Sequence, residues 1–86
     1  MENQTLIEIM EKMLAGNKFS ALKELLTEMN VVDIAQAMEG MDAENQLRIF
    51  RMLPKDSSAY VFSYLDWDVQ SVIVDAITSS ELKNLN

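Results

Sequence analysis

At 86 residues the chain is long enough for one domain with a modest core and too short for a multidomain enzyme. It contains neither cysteine nor histidine, which excludes disulfides and thiolate chemistry and removes the commonest acid–base group and transition-metal ligand. Its 14 acidic against 7 basic residues leave a net charge of −7, which keeps a small domain soluble, repels nucleic acid and anionic lipid, and favours a basic partner surface or hard cations.

The apolar residues recur at helical spacing almost everywhere. Leu6, Ile9, Met10 and Met13 define a first helix, with Gly16 as its left-handed stop. Leu22, Leu25, Leu26 and Met29 define a second, entered from Asn17. Val31, Ile34, Ala35 and Met38 define a shorter third helix ending near Gly40. Asp42 is placed to N-cap a fourth, with Glu44 in its first turn and Ile49, Phe50 and Leu53 on its apolar side. Pro54 cannot continue that helix but suits the start of a fifth, expected to bury Ala59, Phe62 and Leu65. Asp66 caps a sixth helix with Asp68 in its first turn and an apolar stripe of Val69, Val72, Ile73, Ala76 and Ile77. Ser79 or Ser80 is expected to open a seventh, with Leu82 and Leu85 on its core side. No period-two alternation is present, so no strand is expected.

The pattern repeats at an offset of 24 residues. Met29, Ala35, Met38, Met41, Asp42, Gln46, Ile49, Phe50 and Leu53 return as Leu53, Ala59, Phe62, Leu65, Asp66, Gln70, Ile73, Val74 and Ile77. A period in this range marks stacked helix pairs. The expected fold is therefore all-α: one domain over residues 1–86, a superhelix (α-solenoid) of about seven short helices in helix-pair repeats. The stripe from Val69 to Ile77 has little sequence left to cover it, so the segment reads as part of a longer chain.

The acids with a possible role follow the repeat. Asp42 with Glu44, and Asp66 with Asp68, are equivalent pairs on one edge, and Glu39 and Asp75 lie close by in sequence. Capping is the simpler reading of Asp42 and Asp66, and the Asp66-Trp67-Asp68 run lacks the glycine and terminal glutamate of a calcium loop. Nothing places two carboxylates in an apolar cleft, so no hydrolase and no catalytic residue is expected. The 7 methionines read as packing residues, while Lys18, Lys23, Arg48 and Arg51 read as solvated surface. Trp67, in a first helical turn beside two acids, is hard to bury and is a candidate contact residue.

Leu22-Lys23-Glu24-Leu25-Leu26, Val32-Asp33-Ile34-Ala35, Arg48 to Lys55 with its Leu53-Pro54, Ala59-Tyr60-Val61 and Asp68-Val69-Gln70 together resemble the cytosolic N domain of MgtE-type magnesium transporters, from about Ile9 to Leu85. The resemblance implies a superhelical domain on the cytoplasmic side of the cell membrane, preceding CBS domains and a transmembrane pore in a homodimeric transporter. It implies Mg²⁺-dependent resting of this domain on the CBS domains, which biases the pore toward closed. Mg²⁺ takes one or two carboxylates and several waters, so a site divided between domains can exist in one state only. The isolated domain is then expected to bind Mg²⁺ weakly or not at all. Metal candidates are Asp66, Asp68, Asp42, Glu44 and Glu39, with Trp67 and Tyr60 as interface residues. Tyr60 stands where many members of the family carry an acid, so no ligand is carried over there. The alternative is a metal-independent interaction solenoid similar to the flagellar motor switch protein. No nucleic-acid partner and no membrane insertion of this segment are expected, the apolar runs being far short of the roughly 20 residues a bilayer needs.

Overall fold

The structure is a computed structural model that describes residues 3–84, with side chains through Ser79. Among the described residues six helices follow one another: α1 Asn3–Ala15, α2 Phe19–Glu28, α3 Val31–Glu39, α4 Ala43–Met52, α5 Lys55–Tyr64 and α6 Trp67–Asn84. No strand occurs among the described residues. The offset of 24 carries α2 onto α4 and then onto the start of α6, and α3 onto α5. Packing follows the same rule. α1, α3 and α5 form one row, each against the next, α2 and α4 lie beside their neighbours α1 and α3, and α6 packs on α4. The result is an elongated body of 44 × 26 × 24 Å.

The turns after α2, α4 and α5 are short because each of these helices ends on an extended residue whose successor leads straight into the next helix. Met29, Leu53 and Leu65 have ψ of 149°, 143° and 149°. Asn30 caps α3 by accepting the Asp33 amide, and Asp42 caps α4 by accepting the Asn45 amide. Pro54 precedes α5, where its missing N–H costs nothing, and its carbonyl accepts the amides of Ser57 and Ser58.

The core is a continuous row of Ile7, Met10, Leu14, Leu22, Leu26, Ile34, Met38, Ile49, Val61, Leu65, Val69 and Ile73, with Ala35, Ala37, Met41 and Leu53 between them. Phe50 and Phe62 meet edge to face, their centroids 6.2 Å apart.

Four sequence expectations are corrected. α1 buries Ile7, Met10 and Leu14, while Ile9 is exposed, because the face toward α2 and α3 is turned by one position from the stripe that includes Ile9. The left-handed residue after α1 is Asn17, with φ 57°, not Gly16. The amides of Asn17 and Lys18 donate to the carbonyls of Leu14 and Met13, so the helix closes one residue later in a Schellman turn. Ala59 is exposed, and α5 buries Val61 in its place. Finally, no seventh helix begins at Ser79 or Ser80, since α6 runs unbroken for 18 residues. The core roles expected of Leu82 and Leu85 lie outside the described side chains.

Candidate functional site

The expected metal candidates occupy equivalent places at successive helix starts. Asp42 stands before α4 with Glu44 in its first turn, and Asp66 stands before α6 with Asp68 in its first turn. All four are exposed. The Asp42 carboxylate is already engaged, its Oδ1 accepting the Asn45 amide at 2.9 Å. Asp66 is placed differently by the tertiary fold, because its backbone amide donates to Oε2 of Glu39 at 3.0 Å. Glu39 closes α3 and is half-buried, so the two acids meet where one repeat leans on the next. Burial pushes the Glu39 carboxyl above its usual range, and a hydrogen bond to the Asp66 side chain adds to the rise. The fold thus joins Glu39 to Asp66. Among the described residues, no three acidic side chains converge as a cation cage would require.

Two glutamines and one arginine complete the joints between repeats, and the sequence reading gave none of them this role. The Nε2 of Gln46 donates to the carbonyls of Met38 and Met41, both at 3.0 Å. Gln70, one repeat on, donates to the carbonyl of Phe62 at 2.9 Å, and Phe62 is itself 24 residues after Met38. Each glutamine therefore adds a side-chain donor to a carbonyl at the end of the preceding helix that already accepts a turn amide, from Met41 at Met38 and from Leu65 at Phe62. In the first unit that position is Leu22, which cannot donate, and the corresponding carbonyl of Leu14 is reached instead by Nη2 of Arg48 at 3.4 Å. The same guanidinium lies 5.8 Å from the ring centroid of Phe19, so Arg48 is a half-buried strut and not the solvated surface residue expected of it. The signal was visible, since Gln46 and Gln70 recur at the repeat distance, but their acceptors become evident only in the fold.

The second feature is an apolar groove of about 420 Å³ on the free side of α5 and α6, lined by Phe62, Trp67, Gln70, Ser71, Val74 and Asp75. Trp67 is 77% exposed, and Tyr60 and Tyr64 on α5 are exposed as well, so none of the three belongs to the core. No helix among the described residues is long and apolar enough to cross a membrane.

These features define an α-helical repeat domain: stacked helix pairs, an acidic joint between repeats, and an apolar groove beside α6. The family model for the MgtE intracellular N domain matches residues 29–85, more than half of the chain, and the chain belongs to that family. The match takes in α3 to α6, so the Leu22–Leu26 run of the sequence resemblance lies ahead of it. The family is one of transporter regulatory domains and not of enzymes. No curated protein and no solved structure gives a significant match.

Proposed function

We propose that this domain regulates a magnesium transporter from the cytoplasmic side of the membrane, associating with CBS domains in a Mg²⁺-dependent way and so biasing the pore of a homodimeric transporter. The match of residues 29–85 to the MgtE intracellular N domain carries this reading. Two physical features support it. A body of net charge −7 is repelled by another acidic surface until a divalent cation lies between them. The acids that would contribute are Glu39 and Asp66 at the repeat joint, with Asp68, Asp42 and Glu44 along the same succession of helix starts. Two carboxylates of hard oxygen suit Mg²⁺, which keeps several waters and accepts remaining ligands from a second domain. Because the ion then binds the associated state better than the separated one, it shifts the equilibrium between them.

Calorimetric titration of Mg²⁺ into the 86-residue chain, alone and with a CBS-domain fragment, tests the proposal. The expected result is no measurable binding to the chain alone and association with the fragment only when Mg²⁺ is present. Association that ignores Mg²⁺ would replace this reading with that of a metal-independent interaction solenoid. No association in either condition would end it.

A further inference from the structure

The groove beside α6 has an internal precedent. Subtracting 24 from its lining residues gives Met38, Ala43, Gln46, Leu47, Phe50 and Arg51. One repeat earlier the centre of that set is covered: Met38 and Gln46 are buried, and half-buried Phe50 is met edge-on by Phe62 of α5, while Ala43 and Arg51 form an exposed rim. At the free end the counterparts open to solvent, with Phe62 half-buried and Val74 48% exposed. The next helix in the row α1, α3, α5 would follow another step of 24 and lie there, but the chain carries α6 straight through that point. Trp67, Gln70, Ser71, Val74 and Asp75 fall at i, i+3, i+4, i+7 and i+8, so they share one face of α6, while Val69 and Ile73 point into the core.

The rim charge is reversed between the two copies. Arg51 borders the filled groove and Asp75 borders the open one, with Asp68 exposed two helical turns earlier on the same helix. We infer that the open groove docks an amphipathic helix of basic character, lying as α5 lies one repeat earlier and setting an apolar side chain against Val74. A second copy of this chain is the poorer occupant, because each copy carries −7 and both partners would bring acidic surface to the contact. This inference concerns a helical partner and needs no magnesium, so it stands or falls apart from the function proposed above.

The chain contains one tryptophan, and it lines the groove, so its fluorescence reports occupancy directly. The probe is a stapled helical peptide copying residues 55–64 with D56K, which contains no tryptophan, titrated into the 86-residue protein in EDTA. The expected result is a saturable blue shift of Trp67 emission. Val74→Asp, at an exposed position, should weaken the peptide about tenfold with unchanged helical circular dichroism. Asp75→Lys, also exposed, should weaken it about threefold while leaving a charge-neutral peptide of the native 55–64 sequence unaffected. Should the Val74 variant fail to fold, the Asp75 pair of titrations decides. Absence of a shift, a shift of equal affinity in both variants, or a blue shift produced by raising protein concentration without peptide would each overturn the inference.

Discussion

Glu39 and Asp66 lie 27 positions apart in the chain, yet the amide of one donates to the carboxyl of the other. Burial of Glu39 at that joint, which outweighs the opposing effect of the Asp66 amide, sets the direction of a pH response. Glu39 starts from a reference value of 4.5, and burial raises it in the fold, with the Asp66 side chain adding to the rise. A carboxyl whose folded value is raised holds its proton more tightly when folded than when unfolded. Its contribution to stability is therefore complete below 4.5 and is lost as pH rises through the folded value. Glu39→Gln removes the titration and keeps an oxygen that can accept the Asp66 amide. The variant should melt higher than the parent at neutral pH, and the gap should close as pH falls toward 4.5. Melting curves followed by circular dichroism across that range check it, and parallel curves would show that the joint does not titrate with folding. None of this was legible in the sequence. Glu39 could be named as an acid near a helix end, but its partner lies a full repeat away, and only the lean of one repeat on the next brings them together.

Helix ends decide how one element hands over to the next. Where the deciding residue acts within its own turn, the sequence was readable: Asp42 was expected to cap α4 and does, accepting an amide three residues on. Where several local signals compete, it was not. Gly16 looked like the left-handed stop of α1, but Asn17, whose short polar side chain tolerates that conformation, takes it. Ser79 and Ser80 looked like a helix start, but a serine caps only if the chain is already bent. The earlier breaks fall at Met29-Asn30 and Leu53-Pro54, and the next equivalent pair is Ile77-Thr78, which neither lacks an N–H nor terminates a helix, so α6 continues. Gln46 acts between elements, closing the end of α3 from the body of α4. Gln46→Leu fills similar space, as Leu22 does at the equivalent position, and leaves both carbonyls without the amide. It should lower unfolding free energy by about 1–3 kcal/mol in urea titrations. Gln70→Leu should cost less, because Gln70 is only half-buried and serves one carbonyl. Equal losses would mean that burial does not set the strength of these joints.

For the molecule as a whole, the offset of 24 was the reliable guide, because a solenoid uses the same contact at every step and writes it repeatedly into the chain. What the period could not convey is that equivalent residues have unequal surroundings. Ala35 is buried and Ala59 exposed; Leu26 is buried and Val74, two repeats on, faces solvent. The apolar pattern persists along the stack while the neighbour that would cover it does not. Stability in a stack is close to a sum of unit and neighbour terms, so a unit covered on both sides should open least often. α3 is such a unit, held by α1 on one side and α5 on the other. Native-state hydrogen exchange should therefore be slowest for amides in α3 and in α4 around Ile49, intermediate in α5, and fastest in the solvent-facing half of α6 beyond Ile73. A peptide bound in the end groove should slow α5 and α6 and leave α3 nearly unchanged, since it adds a neighbour only to the last units. Uniform protection along the chain would instead mean that the helices open together, as the core of a single globule does.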